Sequence, residues 1–585
     1  MTSPDFRTLT AITLAATFTF MAGCGRKAEA PAATEVGAAA AAADQAADAI
    51  YTGGDIVTVN DAQPTAEAVA LKDGKILAVG TRAQVEKAHK GAATRMADLA
   101  GRTLVPGFVD GHAHFLGFGS QAVGANLLAP PDGTVNTIDD LVAKLQEFAK
   151  GPDVGRTGWV FGMGYDDALL GRHPTRDDLD KVSKDVPVIA VHISAHFAVM
   201  NSAGLAKVGY TAASKDPEGG VIRRRAGSRE PNGVLEENAS FPYMVPAISP
   251  VKQEDKDYFL KRGQELAQGY GYTTINEGRA FGFNHDDLAS AARRGLLDID
   301  VVSYIDYSAR NVITPEWFGK TYKNHYRIGG MKITLDGSPQ GRTAWRTVPY
   351  LLPPDGQKAG YKGYPAIPDT KMVEGLFDEA YRNNWPVHVH ANGDAAIDQM
   401  IAALKPVQAR YGPGDRRNTL IHGQFVRKDQ LDQLRDLQVI ASLFPMHTFY
   451  WGDWYDQIIG PDLAQQISPT RTALNKGLVV TSHTDAPVAL PNLMQVMWAT
   501  VNRTSRSGKV MGAEERLTPI DALKAITLWG AYEHFEDKTK GSIEVGKLAD
   551  LVILDKNPLT VDPMTINQIR VMETIKEGKT VFKRP

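Results

Sequence analysis

Short apolar segments alternate with longer helical patterns through most of this chain, and this alternation restricts its fold more than any other feature. The segments that we interpret as strands are Leu104–Val109, Val188–Ile193, Thr273–Asn276, Ile299–Tyr304, Gly330–Leu335, Val387–His390, Leu420–His422, Gln438–Ser442 and Val479–Ser482. The helical patterns include Thr137–Lys150, Lys252–Gly269, Lys371–Asn383 and Lys428–Leu437. Repeated strand–helix units build a parallel sheet, and about eight of them close a barrel. The pattern predicts an α/β fold with a (β/α)8, TIM-like barrel.

Strand patterns at both ends of the chain predict a second, smaller domain. Short strands with turn signals such as Asp73-Gly74 precede the barrel region, and similar strands follow it. We interpret residues 48–105 and 531–585 as two parts of one small β-sandwich domain, with the barrel at residues 106–530. Residues 120–260 are too long and irregular for one strand–helix step, so we expect an insertion there that covers the barrel mouth.

The first residues predict export. The mostly apolar run Leu9–Met21 is too short to cross a bilayer comfortably and leads into small residues, which is typical of a signal peptide over residues 1–23. Its end, Met-Ala-Gly-Cys, resembles a bacterial lipobox and implies lipidation of Cys24; the alternative is an ordinary signal peptide with an incidental cysteine. Gly25 in place of Asp favours anchoring at the outer membrane or periplasmic face. The Ala-rich residues 24–47 predict a tether.

Composition narrows the chemistry that the folded part can carry. The chain has a single cysteine, so it has no internal disulfide and no thiolate ligand within the fold. The net charge is −3 and no basic block occurs, which argues against nucleic acid as a partner. We expect a small-molecule substrate, a membrane contact only through the lipid anchor, and chemistry carried by His, Asp, Glu and Lys.

A His-x-His pair gives the first candidate for a metal site. His112 and His114 follow directly after the first predicted barrel strand. Residues i and i+2 of a strand point to the same face, so both imidazoles can face one ion. The carboxyl ends of barrel strands are also where barrel active sites are built. His-x-His alone is a weak signal, and the surrounding sequence must strengthen it.

Longer motifs supply that support. The segment before the pair, Pro106-Gly-Phe-Val-Asp-Gly111, resembles the signature of the amidohydrolase superfamily. Four later segments occur in the order seen in the YtcJ-like branch, amidohydrolase family 3: Met331–Ala344, His388–Asp394, Ile421–Gln424 and Ser482–Pro487. The resemblance covers essentially all of the chain after the tether and is loose at residues 120–260.

The resemblance implies a divalent metal centre. The implied ligands are His112, His114, Lys332, His390, His422 and Asp485. Nitrogen and carboxylate ligands suit Zn²⁺, although ligand type alone does not separate it from Mn, Fe or Co. One or two ions fit this set, and two are favoured if Lys332 is carboxylated to an anionic carbamate that bridges them.

Three residues in or near this set leave alternatives open. An unpaired ammonium is costly in a barrel lining, so Lys332 is either the carbamate or a salt-bridge partner of Asp336 or a neighbouring carboxylate. His388 lies on the same strand face as His390, one step deeper, and we interpret it as a polar residue that fills the barrel. His483 stands where the family often has a simpler Gly-Ser-Asp, and its role is open.

The implied reaction is metal-assisted hydrolysis of a carbon–nitrogen bond other than a peptide bond. Metal-bound water becomes hydroxide near neutral pH, and Asp485 would take its remaining proton and pass it to the leaving amine. Lys332 would act through the metals. The residues that we expect to face the substrate are His196, Arg342, Trp345 and Trp451, with loop fixing and core packing as the alternatives.

Other readings remain for the same scaffold. Amides, N-substituted formamides and cyclic amides are the substrates that the YtcJ-like branch favours, but the fold also supports deamination and ester hydrolysis. A lipid-anchored binding protein without catalysis is the alternative from another class, and the complete ligand set argues against it. Pairing of barrels into a homo-oligomer is common in the family.

Overall fold

The computed structural model describes residues 46–354 and 357–585. The predicted signal peptide at residues 1–23, Cys24 and nearly all of the tether at residues 24–47 lie outside these described residues. Within the described part of the chain, no helix combines the length and the hydropathy that crossing a membrane requires.

Eight parallel strands form one sheet in chain order. They are β1 (Phe108–Val109), β2 (Tyr272–Ala280), β3 (Asp300–Asp306), β4 (Tyr326–Thr334), β5 (Val387–Ala391), β6 (Thr419–His422), β7 (Ile440–Leu443) and β8 (Val480–Ser482). This is the strand order of a (β/α)8 barrel. Two backbone hydrogen bonds join the segments that follow β1 and β8, from Asp485 N to His112 O (3.0 Å) and from His114 N to Ala486 O (2.8 Å). The predicted parallel α/β sheet is confirmed.

Helices separate most of these strands. The longer ones are Phe115–Val123, Gln253–Gly269, Gly282–Arg293, Thr370–Arg382, Asp394–Tyr411, Lys428–Asp436, Met446–Ile459, Leu493–Asn502, Pro519–Ala525 and Leu528–Glu533, and the shorter ones are Tyr307–Val312, Pro461–Ala464, Thr470–Asn475 and Ala513–Glu515. Every residue of β4 except Thr334 is buried. Parallel strands are covered on both faces, which explains why they appear in the sequence as continuous apolar runs rather than as alternating ones.

One predicted strand belongs elsewhere. Val188–Ile193 has the continuous apolar character of the barrel strands, but Val188–His192 lies in a separate six-stranded sheet inside residues 120–260. The predicted strand is present, but an apolar run does not reveal which sheet buries it. The other strands of that sheet are Ala125–Asn126, Val160–Tyr165, Phe197–Met200, Gly220–Arg224 and Pro231–Glu237, and its helices are Ile138–Ala149, Val154–Thr157, Asp167–Leu170, Arg176–Leu179, Ser202–Val208 and Phe241–Ile248.

The two ends of the described chain build two further sheets. The first sheet contains Ala49–Thr52, Ala68–Lys72, Lys75–Gly80 and Arg95–Asp98, and the helix Arg82–His89 lies between its last two strands in sequence. The second sheet contains Asp55–Val57, Thr65–Ala66, Thr103–Pro106, Leu551–Leu554, Val571–Lys576 and Lys579–Lys583. The short helix Pro563–Gln568 comes before Val571–Lys576. Thr103–Pro106 pairs antiparallel with Leu551–Leu554. Tyr51, Leu104 and Ile553 share one buried cluster. The sandwich arrangement and the exact domain boundaries stay predictions.

Buried charges occupy the opposite end of the barrel from the carboxyl ends of its strands. Asp300, the first residue of β3, accepts hydrogen bonds from Lys540 Nζ (2.5 Å) and Lys576 Nζ (2.6 Å). Arg327, near the start of β4, donates to Glu536 Oε1 (2.7 Å), and Lys540 also pairs with Glu536 Oε2 (2.8 Å). We call these five residues the base network. It joins the barrel to the C-terminal sheet through groups of opposite charge.

Candidate metal centre

The structure brings the predicted ligands to one end of the barrel. His112 and His114 follow β1, Lys332 lies in β4, and Asp485 follows β8. His390 and His422 lie at the ends of β5 and β6 and complete the set. The carboxyl ends of parallel barrel strands meet at this mouth, so residues far apart in sequence converge there.

Three ligand atoms form the tightest part of the cluster. His112 Nε2 lies 3.5 Å from Asp485 Oδ1, and His114 Nε2 lies 3.4 Å from the same oxygen. Zn²⁺ bonds of about 2.0–2.1 Å in a tetrahedron place ligand atoms about 3.4 Å apart. Asp485 Oδ1 is buried and has no hydrogen-bond partner among the described residues. This spacing and this unpaired acceptor fit a bound cation.

Gly278 leaves room for His112. A Cβ atom built on Gly278 would lie 2.2 Å from His112 Nδ1 and Cε1, closer than any real contact. The backbone of β2 therefore packs directly against the imidazole. Only glycine permits this approach, which holds the ring with Nε2 toward Asp485.

Lys332 has no carboxylate partner. It is 1% exposed, its Nζ lies 3.4 Å from His112 Nε2, and it forms no ion pair with any residue of the described ranges. Asp336, its alternative partner, accepts backbone hydrogen bonds from Trp345, Asn392 and Gly393 instead. Burial lowers the pKa of Lys332 to about 7, which makes the neutral amine accessible.

The two other histidines lie beside this cluster. The ring centroids of His390 and His422 are 4.6 Å apart, and those of His112 and His422 are 5.3 Å apart. His422 Nδ1 lies 4.0 Å from Asp485 Oδ2. His112, His422 and Asp485 each offer one ligand atom, and these atoms lie within 4.8 Å of one another. His390 is set slightly apart, with Nε2 3.1 Å from the carbonyl oxygen of Gly337.

Electrostatics keep these groups in metal-binding form. Burial is the main cause that lowers the pKa of His112 and of His422 well below the usual range, and neighbouring positive groups add to it. Both imidazoles are therefore neutral. Burial acts to raise the pKa of Asp485, but His114, His483 and other neighbours outweigh it, so the pKa lies below its ordinary value. Neutral imidazole and ionised carboxylate are the protonation states that bind metals.

Two further residues have defined positions near the metal centre. Glu277 lies beside His114, with Oε1 3.9 Å from its Nδ1, and its Oε2 accepts a hydrogen bond from Leu116 N (2.9 Å). His388 lies deeper in the barrel, where its ring stacks on Tyr304 at 3.4 Å between centroids. This position agrees with the interpretation of His388 as a residue that fills the barrel.

Sequence reasoning missed two buried carboxyl groups under the site. Asp110 accepts hydrogen bonds from Thr484 Oγ1 (2.6 Å) and Tyr272 Oη (2.9 Å), and it thereby ties β1 to the loop after β8. Glu533 accepts from Thr481 Oγ1 (2.5 Å) and lies 3.5 Å from His388 Nε2. Asp110 lies within the Pro-Gly-Phe-Val-Asp-Gly motif, which was a usable signal. Glu533 had none.

The candidates for substrate contact are placed in different ways. His196 Nδ1 lies 2.8 Å from Glu237 Oε2, and Glu237 Oε1 accepts from Thr343 in the loop after β4 (3.1 Å). Glu237 raises the pKa of His196 although burial opposes it. Asn201 nearby is buried and caps the helix Ser202–Val208, accepting a hydrogen bond from Gly204 N (2.7 Å). This contact gives Asn201 a structural role.

The remaining candidates contact protein groups. Arg342 donates to Pro353 O (2.9 Å) and lies over the ring of Trp454 at 4.9 Å. Trp451 is buried in the main core and packs against the ring of His447 at 5.8 Å. Trp345 is half-buried, and its backbone N–H donates to Asp336. Contact of these side chains with a substrate stays a prediction.

Comparison with known proteins covers nearly the whole chain. A model of the amidohydrolase family matches residues 95–582. The putative amidohydrolase YtcJ of Bacillus subtilis is 26% identical over 92% of this chain and 99% of its own length. The N-substituted formamide deformylase of Arthrobacter pascens is 25% identical over 92% of this chain and 99% of its own. An uncharacterized metal-dependent hydrolase from Pyrococcus horikoshii has a similar fold, with a TM-score of 0.70 and 23% identity over 88% of this chain and 99% of its own.

Proposed function

Because the chain belongs to the amidohydrolase family, we propose that it is a metal-dependent hydrolase of carbon–nitrogen bonds other than peptide bonds. An amide, an N-substituted formamide or a cyclic amide is the proposed substrate class. The observation that carries the proposal is the cluster of His112, His114 and Asp485, whose buried Oδ1 lies near both imidazoles and has no hydrogen-bond partner among the described residues. The similarity to an N-substituted formamide deformylase over nearly both chains supports the substrate class.

We propose one or two divalent ions, with Zn²⁺ and two ions favoured. His112, His114 and Asp485 would hold one ion, and His390 and His422 a second. Lys332 would bridge them after carboxylation: its neutral amine attacks CO2, a C–N bond forms, and loss of a proton leaves an anionic carbamate. The missing carboxylate partner and the pKa of about 7 for Lys332 support this step.

We assign the proton transfers of hydrolysis to Asp485 and the stabilisation of the developing negative charge to His196. Bound metal would lower the pKa of a coordinated water from 15.7 toward about 7. Asp485 accepts the proton of the attacking water at a carboxylate oxygen and then donates it to the leaving amine. His196, held through Nδ1 by Glu237, which raises its pKa, would donate from Nε2 as an imidazolium to the oxygen that gains negative charge.

A substrate panel tests this proposal. The zinc-loaded full chain is incubated with N-substituted formamides, simple amides, N-acyl amino acids, cyclic amides, esters and amino-purines, and the release of formate or carboxylate is measured separately from ammonia. Carboxylate or formate release from the amides supports the proposal, whereas ammonia from ring amines or ester cleavage alone would replace it with deamination or esterase activity. No turnover despite bound metal would favour a binding protein.

Several further features belong to the same proposal. We propose a closed barrel beside a two-sheet sandwich, and an exported protein anchored in the bacterial cell envelope through a lipid on Cys24. Cys24→Ser would then move the protein from the membrane fraction to the soluble fraction of the producing cells, and unchanged membrane association would contradict the anchor. Association into a homo-oligomer is open to measurement by light scattering.

A further inference from the structure

His483 lies between a predicted metal ligand and the interior of the barrel. Its Nε2 is 3.1 Å from His422 Nδ1, and its Nδ1 is 3.1 Å from Ser442 Oγ. The ring is completely buried and stacks on Phe444 at 5.4 Å with only 9° between the planes. Water is therefore excluded from these contacts, and their protons are shared among protein groups alone.

The direction of these hydrogen bonds follows from counting protons. The Nδ1 of His422 faces His483, so a metal would be bound through Nε2 of His422, and that nitrogen needs its lone pair while Nδ1 carries the proton. His483 Nε2 must then accept the proton of His422 Nδ1. The single proton of the neutral His483 ring therefore lies on its Nδ1, which donates to Ser442 Oγ.

The consequence concerns the second nitrogen of His422. A neutral imidazole carries one proton, so a proton on Nδ1 leaves a lone pair on Nε2. His390 is held in a comparable way, because its Nε2 lies 3.1 Å from the carbonyl oxygen of Gly337, which can only accept. In His390 the backbone fixes the tautomer, and in His422 another side chain does so.

We infer that His483 is a positioning residue of the metal centre, which accepts the Nδ1 proton of His422 and so presents Nε2 of that ring to the metal. Ser442 Oγ, which accepts from His483 Nδ1, orients the His483 ring. The inference rests on the proposed metal-dependent function. Hydrogen-bond partners of metal-binding histidines fix the orientation of the ring, and losing one typically costs about 10- to 100-fold in metal affinity or activity.

Packing alone is the competing explanation. In that case His483 matters only as a flat ring against Phe444, and any apolar residue of similar size would replace it. The two explanations differ for His483→Gln, because the amide oxygen can accept the proton of His422 Nδ1 although the flat ring is lost. His483→Leu removes the acceptor and retains apolar volume.

The experiment measures Zn²⁺ affinity of the full chain by competition with a chromogenic chelator. We expect about 10- to 100-fold weaker binding for His483→Leu, a smaller loss for Ser442→Ala, and affinity close to that of the unmodified chain for His483→Gln. In the Co²⁺-loaded protein the visible absorption bands should shift in His483→Leu and not in His483→Gln. The matched control is His285→Gln, which removes a buried imidazole that bonds Tyr326 Oη (2.9 Å) outside the centre.

Specific results would overturn the inference. Unchanged Zn²⁺ affinity in His483→Leu contradicts it, and so does an equal loss in His483→Gln and His483→Leu. Thermal unfolding of the metal-free variants checks that they fold, and if His483→Leu does not fold, His483→Gln and Ser442→Ala decide. If the unmodified chain binds no Zn²⁺, the metal centre itself fails and this inference fails with it.

Discussion

Two buried glutamates three residues apart have pKa values shifted in opposite directions. Glu536 belongs to the base network, and Glu533 lies in the barrel under the metal centre. Burial acts to raise the pKa of Glu536, but Lys540 and Arg327 outweigh it and lower the pKa to about 2. Burial, with the neighbouring carboxyl group of Asp110, raises the pKa of Glu533 to about 8, although hydroxyl groups such as Thr481 Oγ1 and the charge of Lys332 oppose the shift. The residue type and the burial are alike, so the neighbours alone decide the protonation state.

The comparison separates a structural charge cluster from a functional one. In the base network every charged group faces an opposite charge, so the groups satisfy one another. At the metal centre, Asp485 Oδ1 and His112 Nδ1 are buried without hydrogen-bond partners. Unpaired buried polar atoms are costly, and a cation bound at Asp485 Oδ1 would satisfy one of them. Changes at the base should therefore affect stability, and changes at the centre should affect metal binding and turnover.

The largest expected effect comes from Asp485→Asn. The amide keeps an oxygen ligand but cannot accept a proton, so kcat should fall about 10³- to 10⁴-fold while metal content and melting temperature change little. Steady-state kinetics and elemental analysis measure both. Asp398→Asn, which alters a half-exposed ion pair with Arg427, serves as the control. Retained turnover in Asp485→Asn would remove its proposed role.

The comparison itself is tested by Glu536→Gln and Glu533→Gln. The first removes the carboxylate paired with Arg327 and one of the two carboxylates paired with Lys540, and it should lower the free energy of unfolding by about 3 kcal/mol at pH 6. The second replaces a protonated carboxyl group with a similar neutral amide and should cost less than about 1 kcal/mol. Urea unfolding of the two proteins measures the difference. Equal losses would show that the two ends do not differ as described.

Gly278→Ala should weaken the metal centre by steric overlap. The new Cβ meets the His112 ring at 2.2 Å, so the ring must move, at a cost of about 1–3 kcal/mol. We expect weaker Zn²⁺ binding in a chelator competition. Gly375→Ala is the matched control, because no atom lies within 4 Å of its Cβ. Equal Zn²⁺ affinity in the two variants would contradict the close packing of Gly278 on His112.

The smallest effect is a pH dependence of stability with opposite signs at the two ends. The pKa of Glu533 is raised from 4.5 to about 8, so its contribution is present below pH 4.5 and is lost as the pH rises through 8. The pKa of Glu536 is lowered from 4.5 to about 2, so its contribution is present above pH 4.5 and is lost as the pH falls through 2. The melting temperature of the metal-free protein should therefore decline less steeply between pH 5 and 9 in Glu533→Gln than in the unmodified chain. An unchanged slope would contradict the raised pKa.

The parts of the fold and site that sequence predicts are those with local signals. The helix Lys252–Gly269 was expected and Gln253–Gly269 is found, because an amphipathic pattern of that length is distinctive. The metal ligands stand in short motifs at strand ends, and strand order then brings them to one mouth. The partner of Lys332 was harder to predict from the sequence. Lys332 was expected either as a carbamate or beside Asp336 or a neighbouring carboxylate, and the structure shows Asp336 bound by backbone N–H groups instead.

What sequence did not predict depends on partners that are distant along the chain. Nothing near Glu533 indicates that it meets Thr481 from β8, 52 residues earlier. Arg342 was expected to face the substrate. Its observed contacts with Pro353 and Trp454 depend on how the loop after β4 folds. Such pairings follow from tertiary packing, which local propensity and periodicity do not encode.

The antiparallel pairing of Thr103–Pro106 with Leu551–Leu554 has a consequence for the order in which the protein is made. Thr103–Pro106 leads directly into β1 and His112, but its partner is synthesised more than four hundred residues later. Contacts that close such long loops form late and slowly. The segment that carries the first two metal ligands therefore waits for almost the entire chain before its own strand is paired. Metal capture by the complete site is thus expected to follow translation rather than accompany it.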